Sequence, residues 1–201
     1  MIVKICGLTS EYEAKTVSDA GADFAGVVMF FEKSKRNVSS DKAKQIISAL
    51  NGKIKSVAVM VSPTIEQIHT AKMIGFDYVQ IHGELTEEII KLTDLPIIKA
   101  FNVTDLDKYD YFSSFDEIVG FVMDANEYGS GKTFDWNVIK GFDRRGKLFI
   151  LAGGLNPENV AHAIECVKPD GVDVSSGVEY KNKPGKDPEK IYAFVKNSNG
   201  Y

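Results

Sequence analysis

The chain has 201 residues, 44% apolar and 26% charged, a composition that suits one globular domain with a real buried core. A net charge of −4 excludes a general basic field for nucleic acid or an anionic membrane surface, and the longest apolar stretch, 24–31, is far short of the roughly 20 residues of a membrane helix. Two cysteines, Cys6 and Cys166, exclude a disulfide-stapled scaffold, and together with a start that runs into a strand without a secretory signal they point to the cytoplasm.

Eight short runs rich in Val, Ile and Phe recur along the chain, at 2–6, 24–29, 56–61, 78–82, 97–101, 118–124, 148–152 and 171–174. Their nearly continuous hydrophobicity is that of strands buried on both faces. Amphipathic stretches separate them. Thr9 or Ser10 with Glu13 predicts a capping box and Gly21 the end of the first helix. Ser39 or Ser40 opens 41–50, where Ala43, Ile46, Ile47 and Leu50 fall at helical spacing. Ser62-Pro63-Thr64 opens 65–74, which Gly75 closes, and Thr86 opens a helix through Leu92. Asn156-Pro157-Glu158 opens one through Val167, and Asp187-Pro188-Glu189 starts the last. The segments 105–115 and 134–140 are the weakest: the first is aromatic and poorly periodic, the second only about two turns long. Residues 197–201 read as a loose tail.

This alternation, roughly 25 residues per unit, predicts a single-domain (βα)8 barrel over 1–201, near the small end for that fold. The alternative is an open doubly wound sheet. That fold carries a glycine fingerprint at its first βα turn, and Cys6-Gly7-Leu8-Thr9-Ser10 is not one.

Strand parity then locates a site. Side chains alternate along a strand, so Lys4 shares a face with Cys6, Gln80 with His82, Val122 with Asp124, and Asp173 with Ser175. These polar members are expected to point into the barrel or its mouth, whereas Val3, Ile5, Val79, Ile81, Phe121 and Met123 meet the helices. Lys4, Lys99, Asp124 and Asp173 are expected to neutralise one another there. Cys6 and Asp124 each close a strand, and a thiol and a carboxylic acid at two strand ends are the pair needed to deprotonate one substrate atom while protonating another.

The remaining motifs suit a small anionic substrate. Leu151-Ala-Gly153-Gly154 and Asp173-Val-Ser175-Ser176-Gly177 leave the seventh and eighth strands, where such barrels bind phosphate through backbone N–H groups. Arg36 lies in a basic cluster after the second strand and can hold a carboxylate in bidentate fashion. His82 ends the fourth strand, facing inward. Gly129-Ser-Gly-Lys-Thr133 invites a nucleotide-binding reading, but a full phosphate loop has glycine where Asn126 stands, and a lid over the mouth fits better. No residues stand at metal-ligand spacing.

Lys4-Ile-Cys6-Gly7, Lys33-Ser-Lys-Arg36, Val79-Gln-Ile-His82-Gly83, Asp124, Gly129-Ser-Gly-Lys-Thr-Phe-Asp-Trp136, Leu151-Ala-Gly-Gly-Leu-Asn-Pro-Glu-Asn159 and Val172-Asp-Val-Ser-Ser-Gly-Val-Glu179, in this order, resemble the phosphoribosylanthranilate isomerase family over nearly the whole chain. The resemblance implies an Amadori rearrangement in tryptophan biosynthesis, without cofactor or metal. It makes Asp124 the general acid and Cys6 the general base. Arg36 would hold the anthranilate carboxylate, and Gly153, Gly154, Ser175, Ser176 and Gly177 the phosphate of a small phosphoribosyl substrate, with His82 also lining the site. Lys4 or nearby backbone N–H groups are expected to favour the Cys6 thiolate, and burial under the lid to keep Asp124 protonated. No nucleic acid or membrane partner is implied; the assembly is a monomer or homodimer. The alternatives are another phosphosugar-isomerising barrel or a nucleotide-binding module built on Gly129–Thr133. Lys35 and Asn37 depart from the family pattern beside Arg36, as does Tyr128 at the lid.

Overall fold

All eight predicted runs are strands, and they close on themselves. The computed structural model describes residues 1–102, 107–124 and 143–200. The strands are β1 (Ile2–Cys6), β2 (Phe24–Met29), β3 (Asn37–Val38), β4 (Lys55–Val61), β5 (Tyr78–His82), β6 (Ile97–Asn102), β7 (Ile118–Asp124), β8 (Leu148–Ala152) and β9 (Gly171–Val174). All pair in parallel in the order β1-β9-β8-β7-β6-β5-β4-β2-β3, and β1 also pairs with β2. The eight long strands therefore form the closed wall of a (βα)8 barrel. β3 is an addition the sequence did not signal. It pairs with Val28 and Met29 of β2, just past the part of β2 that β1 covers, and so brings the preceding Arg36 beside the end of β1.

The helices are α1 (Glu11–Ala20), α2 (Ser40–Ala49), α3 (Ile65–Ile74), α4 (Glu87–Leu92), α5 (Tyr109–Ser113), α6 (Val160–Val167) and α7 (Pro188–Asn199). Their caps follow the sequence signals. Thr64 and Gln67 form a reciprocal capping box on α3, Ser10 caps α1, and Gly21 and Gly75 end α1 and α3 in left-handed conformations. Glu13 does not complete a box on Ser10: its carboxylate accepts from the Thr9 N–H at 2.6 Å and from the Lys186 N–H at 2.8 Å. α6 begins at Val160, later than Asn156-Pro157 suggests, because Asn156 spends its side chain on a turn with Glu158 and Asn159. The described part of the weak 105–115 segment carries the short α5 after a brief 3-10 turn, and the predicted 134–140 helix and the lid segment Gly129–Thr133 lie outside the described residues.

Two expectations are corrected. Residues up to Asn199 belong to α7 rather than to a loose tail: Ser198 is fully buried, and Asn197 donates to the Pro157 carbonyl at 2.8 Å. Lys99 does not join an ion set inside the barrel. It alternates with Ile98 and Ala100, which line the interior, and shares the outer layer with Ile97 and Phe101. Its ammonium donates to the carbonyls of Ala100, Gly83 and Ile81 at 2.9, 3.0 and 3.3 Å. The remaining outward residues behave as parity requires: Val3, Ile5, Val79, Ile81, Phe121 and Met123 pack against the helices.

Acidic side chains fasten the amino-terminal rim. Asp23, just before β2, accepts from the Val3 N–H of β1 at 2.8 Å; Asp77, just before β5, accepts from the Ser56 N–H of β4 at 2.8 Å; and Asp170, just before β9, accepts from the Phe149 N–H of β8 at 2.9 Å. Each clamp sets the register of a neighbouring strand pair, the first fixing Lys4 opposite Phe24. Burial pulls the Asp77 carboxyl upward, but bonds from Ser56 and Lys55 prevail and hold it below the usual range. Its contribution is therefore present above about pH 4 and is lost as pH falls through the depressed value. Asp77→Ala is expected to destabilise the fold by about 1–3 kcal/mol in urea unfolding at pH 7, because it strands the buried Ser56 N–H, while KM is unchanged.

Candidate active site

The residues singled out for chemistry converge on one rim. Cys6, His82 and Asp124 are the last residues of β1, β5 and β7, and all strands are parallel, so all three lie at the carboxyl end of the barrel. β1 and β7 are separated by β9 and β8, three strand spacings of about 4.8 Å around the wall. Asp124 is half-buried at the mouth, facing inward with Val122.

Cys6 is buried beside a charged pair. Lys4, with no exposed surface, donates to Asp173 at 2.8 Å across the β1–β9 ladder. The Cys6 sulfur and the Lys4 ammonium both lie over Gly26, 2.8 and 3.2 Å from where a Cβ there would stand, so a larger residue at 26 would push them apart. Burial would lower the Lys4 ammonium, but Asp173 and Cys6 outweigh it and raise it, so the lysine stays charged. Lys4 favours the Cys6 thiolate, as expected, but does not outweigh burial. Burial pushes the thiol up and the Asp173 charge adds to it; Lys4 and Lys186 pull the other way without prevailing. Lys4 already pairs with Asp173, and a charged sulfur there gives up its hydration in a low dielectric.

His82 is neutral. Burial, then the Lys4 and Lys99 charges, lower its pKa to about 4, so its ring accepts from the Gln80 amide, 2.8 Å away. Among the buried acceptors with no hydrogen-bond partner in the described residues are two on inward-facing strand positions, Gln80 Oε1 and Asp173 Oδ1.

Arg36 is held over the end of β1. Gly7 has φ +79°, and a Cβ on it would come within 2.3 Å of the Arg36 Cδ, so only glycine lets the arginine stem cross there. Asn37 steadies the loop by accepting from the Phe31 N–H at 2.9 Å. Arg36 Nε donates to Glu179 at 2.5 Å, and Lys35 bonds the other oxygen of Glu179 at 2.8 Å. Against the pull of burial, these bonds and the nearby Lys186 charge hold the Glu179 carboxyl at about 2.

The two candidate phosphate turns touch. Gly153 and Gly154 both have positive φ, and a Cβ on Gly177 would lie 2.0 Å from the Leu155 carbonyl oxygen, so the single 3-10 turn Ser176–Val178 packs directly on the loop after β8. Ser175 is placed differently from the rest of the group: its hydroxyl donates to the Cys6 carbonyl at 3.0 Å and is met by Lys186. Lys186 and Glu179 were missed as site residues. Lys186 follows a Pro-Gly pair in a polar stretch that reads as an exposed loop, and nothing local signals its burial. No group of His, Cys, Asp and Glu among the described residues has the arrangement of a metal site.

A closed parallel barrel with an acid, a thiol, an arginine clamp and two glycine turns at its carboxyl rim defines a (βα)8 enzyme of small phosphorylated substrates. The particular lineage follows from comparison. The chain belongs to the N-(5'-phosphoribosyl)anthranilate isomerase family, whose sequence model matches residues 3–197. It is 42% identical over 205 residues to the N-(5'-phosphoribosyl)anthranilate isomerase of Listeria welshimeri, covering 100% of this chain and 99% of the relative. The crystal structure of phosphoribosyl anthranilate isomerase from Thermotoga maritima superposes with a TM-score of 0.87 at 39% identity over 100% of both chains. A phosphoribosyl anthranilate isomerase in complex with reduced 1-(o-carboxyphenylamino)-1-deoxyribulose 5-phosphate superposes at 0.85 and 36% identity, again over 100% of both chains.

Proposed function

We propose that Cys6 and Asp124 act as base and acid on one sugar held by its two ends, Arg36 taking the carboxylate and the Gly153–Gly154 and Ser176–Gly177 turns the phosphate. The activity is the isomerisation of N-(5-phosphoribosyl)anthranilate to 1-(2-carboxyphenylamino)-1-deoxyribulose 5-phosphate, a step of tryptophan biosynthesis. The observation that supports the residue roles best is that Cys6 and Asp124 close strands on the same rim, flanked by the arginine and the two turns.

The steps balance with these groups alone. Protonated Asp124 gives its proton to the ring oxygen as the bond from that oxygen to C1 breaks, and the nitrogen lone pair forms the C1=N iminium. The Cys6 thiolate takes the proton from C2. The C2–H electrons form C1=C2, and the iminium electrons return to nitrogen, leaving a neutral enolamine. Tautomerisation moves the enol proton to C1 and gives the ketone. The cationic nitrogen is the electron sink, so the residues need only position and exchange protons. It also brings a positive charge near the sulfur, adding to those of Lys4 and Lys186. Neutral His82 and the unpartnered oxygens of Gln80 and Asp173 suit sugar hydroxyls.

Mixing the purified protein with freshly made substrate is expected to extinguish the anthranilate fluorescence far faster than the spontaneous decay. Decay at the uncatalysed rate sinks the assignment. Arg36→Met is expected to raise KM about 10- to 100-fold, the worth of a charge-assisted clamp, with a smaller effect on kcat. The expected setting is the cytoplasm. The expected assembly is a monomer or homodimer, and a Thermotoga maritima relative is described as dimeric; sedimentation distinguishes the two.

A further inference from the structure

Three cations surround one carboxylate beside Cys6, and the reaction as written uses only one of them. Glu179 takes Arg36 Nε at 2.5 Å, Lys35 at 2.8 Å and Lys186 at 3.3 Å. The side chain of Lys186 is 1% exposed, that of Glu179 13% and that of Lys35 72%, so the lysine and the carboxylate form the buried centre of the cluster and Lys35 its solvated edge. Lys186 is anchored twice. Its backbone N–H donates to Glu13 of α1 at 2.8 Å, and its ammonium donates to the Ser175 carbonyl at 2.9 Å and meets the Ser175 hydroxyl at 3.3 Å. That hydroxyl donates to the carbonyl of Cys6. A single hydrogen-bonded chain thus runs from α1 through Lys186 and branches, one arm to Arg36 through Glu179 and the other to the strand end that carries the thiol.

We propose that Glu179 and Lys186 are positioning residues of this reaction: Glu179 aims the Arg36 guanidinium at the substrate carboxylate, and Lys186 fixes that arm and the Cys6 strand end as one unit. The proposal rests on the roles given above to Arg36 and Cys6. Glu179 occupies the Nε edge of the guanidinium, and the two terminal nitrogens have no hydrogen-bond partner among the described residues, which leaves the end-on pair for a bidentate carboxylate. The three cations exceed the single carboxylate by two charges, so the cluster keeps a positive field for an anion while its arginine is held in one orientation. On the other arm, the buried Lys186 charge favours the thiolate over the thiol, alongside its grip on Ser175.

The test uses two probes, the reduced product analogue 1-(2-carboxyphenylamino)-1-deoxyribitol 5-phosphate and the same molecule without its carboxylate. In calorimetry, Glu179→Gln is expected to weaken the carboxylated analogue at least tenfold and the other less than twofold. It should add nothing further in an Arg36→Lys background, and in turnover it should raise KM while kcat stays within about twofold. Glu179→Asp, which keeps the charge and shortens the reach, should fall between. Equal weakening of both analogues, or unchanged or tighter binding of the carboxylated one, overturns the positioning role. For the second arm, thiol alkylation against pH is followed in a Cys166→Ser background: Lys186→Met should slow alkylation of Cys6 at pH 8 at least threefold and move its midpoint upward. An unchanged alkylation profile overturns that arm. Should Lys186→Met fail to fold, Lys186→Gln is put through the same alkylation measurement, and Glu179→Gln decides the Arg36 arm. If the unsubstituted protein binds neither analogue, the substrate assignment fails, and the thiol measurement still reads Lys186 independently.

Discussion

Cys6→Ala is expected to lower kcat by about 10²- to 10⁴-fold with the protein still folded and KM little changed, because it removes the group proposed to take the C2 proton. The pH profile gives a sharper reading. A free thiol titrates near 8.5, and burial beside the Lys4–Asp173 pair pushes Cys6 higher. The reactive pair, thiolate with protonated Asp124, holds the same number of protons as the resting pair, thiol with carboxylate. With unshifted values of about 8.5 and 3.9, only about 10⁻⁵ of molecules carry the proton on the acid. Burial of Cys6 makes the thiolate rarer still. Titration of Cys6 by thiolate absorbance is expected to show a value above the ordinary thiol range in the free protein. A free-enzyme value below about 7 would refute the account of a sulfur kept protonated by burial.

Asp124→Asn should cost a similar factor in kcat, about 10²- to 10⁴-fold, for a different reason: the amide keeps the shape and hydrogen-bonding reach of the acid but has no proton to give the ring oxygen. Binding supplies the contrast. The already open product analogue needs no ring protonation, so its affinity should change little in the variant while turnover collapses. Retention of more than a tenth of kcat in Asp124→Asn would remove the acid from the mechanism.

The barrel was legible because its strands are buried on both faces, so 2–6, 24–29 and 171–174 read as unbroken apolar runs and are strands to the residue. The caps were legible because they are local: Thr64 with Gln67 and Asp187 before Pro188 need only neighbours a turn away. Failures arose where distant chain segments decide. The two-residue β3 exists because β1 stops short and leaves the edge of β2 open, which no window over Asn37 and Val38 can show. Lys99 was grouped with the interior charges on residue type, when its own strand's alternation already sent it outward. α7 continues because Ile191, Phe194, Val195 and Ser198 repeat at helical spacing, and a serine completing that stripe does not look apolar. For the site, Cys6 and Asp124 were visible as polar residues closing apolar runs, and Arg36 as a basic exception. Lys186 was not, since its burial depends on Glu13, Ser175 and Glu179, which lie on three other parts of the chain or across a turn. Lys4, two positions away, was legible as favouring the Cys6 thiolate, whereas the depth of burial that outweighs it and the Asp173 pairing were not.

The three aspartates that pin strand to strand all lie at the end of the molecule away from the reaction. Durability and reactivity therefore draw on separate sets of residues, and an engineer could randomise the catalytic mouth to redirect substrate preference without spending the bonds that keep the cylinder shut. A library confined to the carboxyl-end loops should yield mostly folded members, whereas one that also varies residues 23, 77 and 170 should not.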